Sequence, residues 1–105
     1  MTYNGWRNYE TWLVALHIDN CESKQEFFHI QANKFTNHKS TSQYLTNKED
    51  AILLLGKKIE DHFDLFFDYG NKLPFVMTDL LQSALAKVEW REIAENMLEE
   101  IQIND

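Results

Sequence analysis

A chain of 105 residues has room for one hydrophobic core, and 44% hydrophobic against 26% charged residues is the balance of a folding globular domain, which excludes global disorder. The longest uninterrupted apolar run, Ala51–Leu55, falls far short of the roughly 20 residues that a membrane-crossing helix requires. The net charge of −7 is uneven, with eleven acidic and three basic side chains over residues 60–105 against six and seven over residues 1–59, which weighs against general DNA binding through a counterion-displacing basic patch.

Such an acidic excess serves solubility or presents a surface to a basic partner. The opening residues lack the charged and then apolar layout of a secretory signal, and the single Cys21 has no second cysteine to bridge to. A reducing cytoplasm is therefore the expected location. Three glycines and one proline leave too little turn punctuation for a many-stranded protein. The expectation is an all-α fold, one domain of four to five helices over residues 1–105 with a polar loop at about 36–45.

Between Asn4 and Trp12, three large aromatics, Trp6, Tyr9 and Trp12, lie within seven residues. Aromatics so dense at a terminus predict that the terminus is pinned to the body, and with Trp90 they form one expected core cluster joining the first and last helices. The alternative is an exposed binding hot spot with Arg7 and Arg91 beside the indoles. The first helix is expected to start after Asn8 as N-cap, to bury Tyr9, Trp12, Leu13 and Leu16, and to end near Asp19-Asn20. Ser23-Lys24-Gln25-Glu26 reads as a capping box for a second helix with Phe28, Ala32 and Phe35 on one face. Thr46-Asn47-Lys48-Glu49 repeats that pattern before Ile52, Leu55, Ile59, Phe63 and Phe66, the longest amphipathic stretch and the expected central helix, with Gly70 placed to end it.

On the outer face of that helix Lys57 and Asp61 stand at i, i+4. After Leu73-Pro74, the residues Met77, Leu80, Leu81, Ala84, Leu85 and Val88 predict a fourth helix capped by Thr78. The last runs from about Glu89 to Ile101, its apolar stripe made of Trp90, Ile93, Ala94, Met97, Leu98 and Ile101. Its end, at Ile101 and Ile103, is read as either completing the core or pairing with a second copy in a homodimer.

No catalytic apparatus, cofactor motif or metal motif is spelled out. His17, His29, His38 and His62 offer no i, i+4 pair and there is no cysteine pair, so no zinc signature is present. Cys21, beside Glu22 and past a helix end, is expected to have a raised thiol pKa and not to act as a nucleophile. A non-enzymatic protein is the expectation.

Two segments together resemble a known family. Asn4-Gly5-Trp6-Arg7-Asn8-Tyr9-Glu10-Thr11-Trp12-Leu13-Val14-Ala15-Leu16-His17-Ile18-Asp19-Asn20 is similar to the opening signature of small, mostly uncharacterised proteins carried by bacteriophages, archaeal viruses, plasmids and their hosts. Asp79-Leu80-Leu81-Gln82-Ser83-Ala84-Leu85 with Val88-Glu89-Trp90-Arg91-Glu92-Ile93-Ala94 resembles the C-terminal segment of that family. The resemblance implies a mobile-element setting and, for a phage-encoded chain, the host cytoplasm, but no mechanism. Small acidic proteins in that setting frequently block host defence enzymes, restriction and CRISPR nucleases among them, and an acidic surface can occupy the nucleic-acid groove of a nuclease by presenting carboxylates where phosphates would lie.

The expected function is accordingly an acidic protein-binding inhibitor of a nucleic-acid enzyme. Its candidate partner-binding residues are Glu60, Asp61, Asp64 and Asp68 on the third helix with Glu92, Glu95, Glu99 and Glu100 on the last. The alternative is a nucleic-acid accessory factor of phage or plasmid replication that uses Lys34, His38, Lys39 and Lys48 with Tyr44 as a stacking residue.

Overall fold

The computed structural model describes residues 2–69 and 75–103, with side chains described over 2–63 and 76–101. Five helices follow in chain order: α1 (Tyr9–Asp19), α2 (Glu22–Lys34), α3 (Asn47–Tyr69), α4 (Phe75–Ala86) and α5 (Trp90–Ile103). No strand occurs among the described residues, and the fold is all-α as expected.

Asn8 starts α1 and does more than cap it. From an extended backbone its Oδ1 accepts the amide of Thr11 at 2.8 Å and the Thr11 hydroxyl at 2.7 Å, while its Nδ2 donates to the carbonyl of Lys87 at 2.7 Å. Thr11, fully buried, then accepts the Glu89 amide on Oγ1 at 2.9 Å. One N-cap thus fastens the start of α1 to the junction of α4 and α5. Ahead of it, Tyr3 and Trp6 exchange backbone bonds of 2.6 and 2.8 Å around Asn4 and Gly5. Their φ angles of 49° and 87° are those of a type I′ turn, which Asn-Gly adopts with little strain.

The buried face of α1 is not the expected one. Thr11, Ala15 and Ile18 point inward, whereas Tyr9, Leu13 and Leu16 are exposed. α2 starts one residue before the expected box. Asn20 and Cys21 close onto the carbonyls of Leu16 and Ile18, which turns the chain sharply, and Cys21 becomes an N-cap without a side-chain capping bond. The Ser23 hydroxyl lies 3.4 Å from Cys21 Sγ and the Ser23–Glu26 capping box does not form. Before α3, Thr46 Oγ1 does accept the Glu49 amide at 3.1 Å, and Lys57 bonds Asp61 at 3.2 Å and reaches Glu60 at 3.5 Å. Thr78 lies within α4, not ahead of it, because that helix already begins at Phe75. The expected roles of Phe66 and Gly70 lie outside the described residues.

The core gathers Ile18 from α1, Phe28 and Ala32 from α2, Ala51, Leu55 and Ile59 from α3, and Ile93, Ala94, Leu98 and Ile101 from α5, with Val88 from the α4–α5 junction. α5, not α3, is the central element, for it packs on α1, α2 and most extensively on α3. Ile101 is therefore spent inside the molecule and does not face a second copy. α3 and α5 run antiparallel: Gly56 and Phe63 lie beside Trp90, and Ala51 and Leu98 share one pocket wall. A Cβ at Gly56 would meet the backbone of Trp90 and Arg91 at 3.4 Å, the edge of ordinary van der Waals contact, which shows how closely α3 approaches the start of α5.

The aromatics divide into two groups. Tyr3, Tyr9 and Trp12 form a ring triad with centroids 5.0–5.7 Å apart, and Trp90 packs at 5.7 Å on Phe63. Trp6 leaves the triad and lies half-buried on the core. The single cluster expected from the sequence is thus split: Tyr9 and Trp12 pack with Tyr3, whereas Trp6 lies on the core and Trp90 on Phe63.

Candidate functional site

A groove of about 500 Å³ opens where α1, α2 and α5 meet. Its floor is apolar, built of Ile18, Phe28, Ala32, Met97 and Ile101. Its rim is acidic: Asp19 closes α1, Glu22 and Glu26 stand one turn apart on α2, and Glu100 projects from α5. His29 and Gln25 complete the lining, which includes no lysine or arginine. Partial burial pushes the Asp19 carboxyl above its ordinary value, since removing water penalises the charged form. A cation entering the groove would relieve that penalty. A smaller hollow shares Ile18, Asp19, Met97 and Glu100 with the groove and extends it toward Trp6 and Ala15.

Of the described carboxylates expected to bind a partner, Glu100 alone lines this groove. Glu60 and Asp61 are engaged with Lys57, whose own pKa they raise. Glu92 is half-buried and accepts the Arg7 amide at 3.0 Å, and Glu95 and Glu99 are exposed on α5. The side chains of Asp64 and Asp68 lie outside the described residues. Because α3 and α5 are antiparallel, Glu60 and Asp61 stand near the start of α5 while Glu99 and Glu100 stand near its end, ten residues or about 15 Å of helix away. Asp19, Glu22, Glu26 and His29 are the groove residues that the sequence reading did not assign to a partner surface. A signal existed in Glu22 and Glu26 at i, i+4, but the charge tally of residues 1–59 hid it, because Lys34, Lys39, Lys48, Lys57 and Lys58 line no part of this groove.

Other titratable groups have local roles. His38 Nε2 donates to Asp50 Oδ2 at 2.6 Å, holding the 36–46 segment against α3. Tyr44 in that segment is 84% exposed, with exposed Lys39 and Lys48 on either side in sequence. The Cys21 thiol is lowered, not raised as expected, by its hydrogen bond with Ser23 and by the amides opening α2. Among the described residues no three His, Cys, Asp or Glu side chains gather in a metal-binding arrangement.

His62 packs against the rings of Phe27, Phe28 and Phe63, with centroids 5.2–5.6 Å away. Burial, and secondarily Lys24, holds its pKa below the ordinary value of 6.5. The unfolded chain therefore takes up a proton that the folded chain refuses. The resulting stability is full above pH 6.5 and falls as the pH drops below it, levelling only under the folded value. Melting followed by circular dichroism between pH 7.5 and 5.0 is expected to give a Tm that declines on acidification, and His62→Leu is expected to flatten that decline. An equal decline in both proteins would locate the effect elsewhere.

The comparisons with known proteins bear on the whole chain. Neither a curated protein nor a solved structure matches it. A family model does, over residues 1–104, and the chain belongs to that family, which is described as a family of unknown function (DUF7249).

Proposed function

We propose that this chain is a non-enzymatic, acidic protein-binding protein of a mobile element, which inhibits a nucleic-acid enzyme of host defence by receiving a basic segment of it in the α1–α2–α5 groove. The observation that carries the reading is the four carboxylates, Asp19, Glu22, Glu26 and Glu100, set around an apolar floor without a lysine or arginine. A nuclease surface that holds phosphates is rich in Lys and Arg, whose charged heads suit the rim and whose alkyl stems suit the floor. Long-range attraction between the −7 chain and such a surface speeds the encounter. The mobile-element setting is supported by the likeness of the segments at 4–20 and 79–94 to proteins of phages, archaeal viruses and plasmids.

The test is inhibition of DNA cleavage by purified restriction and CRISPR nucleases, followed by affinity measurement on any enzyme that responds. Reversing the rim with Asp19→Lys, Glu22→Lys, Glu26→Lys and Glu100→Lys is expected to weaken binding by about 3 kcal/mol, or roughly 100-fold. Glu60→Lys with Asp61→Lys, away from the groove, is expected to change it little. Undiminished inhibition by the rim variant would reject the groove as the binding surface, and a protein that inhibits no nuclease would reject the inhibitor reading.

A second reading rests on Tyr44, whose ring is almost wholly available for stacking beside Lys39 and Lys48. It requires binding of single strands that falls steeply with salt and is lost in Tyr44→Ala. Absence of any mobility shift at low salt would remove it.

A further inference from the structure

Asn4 is the only asparagine in the chain that a glycine follows, and both residues are exposed. That pair carries a chemistry of its own. Gly5 has no Cβ to shield its backbone nitrogen, and even a Cβ built there would meet nothing within 4 Å, so water and hydroxide reach the amide. The amide itself makes no hydrogen bond, because the turn is closed by the Tyr3 and Trp6 amides.

We propose that Asn4 is a site of spontaneous deamidation, and that opening of the Tyr3–Trp6 turn sets its rate. Hydroxide takes the proton from the Gly5 amide, and the nitrogen attacks Cγ of Asn4. An N–C bond forms and closes a five-membered succinimide ring, while the Cγ–Nδ2 bond breaks and the side-chain nitrogen leaves as ammonia with a proton returned by water. Water then opens the ring at either carbonyl. Opening at Cγ leaves aspartate, and opening at the main-chain carbonyl leaves isoaspartate, with one more methylene in the backbone. Either product exchanges a neutral amide for a carboxylate.

The closed turn holds the reaction back. With φ of 49° and 87°, Asn4 and Gly5 fill the central positions of a type I′ turn, where ψ of the first residue is about +30°. Ring closure requires ψ of Asn4 to rotate to a large negative value, which breaks the backbone bonds of 2.6 and 2.8 Å between Tyr3 and Trp6. Those bonds form an isolated bridge with no ladder behind it, and so short a pairing opens at low cost. What weighs on the bridge is the Tyr3 ring, held against Tyr9 and Trp12, and Trp6, held on the core. Neither Asn4 nor Gly5 lines the groove, so the modification does not depend on the inhibitor reading.

The test is incubation of the full chain at mildly alkaline pH, then tryptic digestion and mass spectrometry against an unincubated control. The tryptic peptide Met1–Arg7 holds Asn4 and no other asparagine. It is expected to gain one mass unit and to separate into aspartyl and isoaspartyl forms, ahead of every other asparagine-containing peptide and faster as the pH is raised. Tyr3→Ala is expected to hasten the conversion roughly 5-fold or more, since both ring contacts that hold the turn are lost. Tyr3 is 40% exposed, so the helical circular dichroism signal of that variant is expected to persist. The chain unfolded in urea, which has no turn to open, is expected to react faster than either. A Met1–Arg7 peptide that stays unchanged in the folded chain while the unfolded chain reacts overturns the site, and equal rates in all three samples overturn the gate.

Discussion

Phe28→Ala is expected to destabilise the fold by about 3–5 kcal/mol, while Phe27→Ala costs about 1 kcal/mol. The two phenylalanines are adjacent in sequence and in contact, with ring centroids 5.2 Å apart, yet Phe28 is 1% exposed and Phe27 44%. Deleting the Phe28 ring opens a void among rigid neighbours on α1, α3 and α5, and the lost packing adds to the lost burial. For a domain of this size the expected Tm decrease is at least ~12 °C. Chemical denaturation of the two variants side by side checks it. Equal costs would mean that the α2 face is assigned wrongly. Phe28 also floors the groove, so the variant that loses stability is expected to lose partner affinity as well.

Asn8→Ala is expected to cost about 2–3 kcal/mol, more than an ordinary N-cap, since three hydrogen bonds depend on this one amide. Without it the Thr11 amide loses its cap, the Thr11 hydroxyl loses its acceptor and the Lys87 carbonyl loses its donor. Asn8→Asp keeps both accepting bonds and gives up the donated one, setting a carboxylate against a carbonyl oxygen. Its expected cost is intermediate, about 1 kcal/mol. Urea unfolding of the three proteins gives the comparison, and a cost for Asn8→Ala below about 0.5 kcal/mol would show that the clamp on the α4–α5 junction carries no energy. The N-terminal signature segment is thus explained by its bonds: Asn4 and Gly5 make the turn, Asn8 and Thr11 make the clamp, and Trp6 covers the core.

Periodicity identified α5 correctly because its apolar and charged residues are cleanly divided, so Trp90, Ile93, Ala94, Met97, Leu98 and Ile101 had one possible inward side. On α1 the same method chose the wrong side. Tyr9, Trp12, Leu13, Val14, Leu16 and Ile18 surround that helix, so spacing could not say which face is buried, and the choice fell to Thr11, whose hydroxyl binds both Asn8 and the Glu89 amide. The Ser23–Glu26 box failed for a related reason: a local capping pattern was overruled by the closure of Asn20 and Cys21 on α1. The turn at Asn4-Gly5, by contrast, carried a readable signal, since Asn-Gly is the pair that tolerates two positive φ angles in succession.

By itself the sequence determined the all-α class with four to five helices, the Asn8 and Thr46 helix starts and the inward face of α5, because each follows from residues a few positions apart. The antiparallel pairing of α3 and α5 across Gly56, the joining of Asp19, Glu22, Glu26 and Glu100 around one apolar floor, and the exposure of Tyr9, Leu13 and Leu16 on α1 were decided by tertiary structure alone. Charge summed along a chain says how much acid there is, but whether carboxylates meet depends on how helices pack, and that is governed by contacts between residues as far apart as 19 and 100.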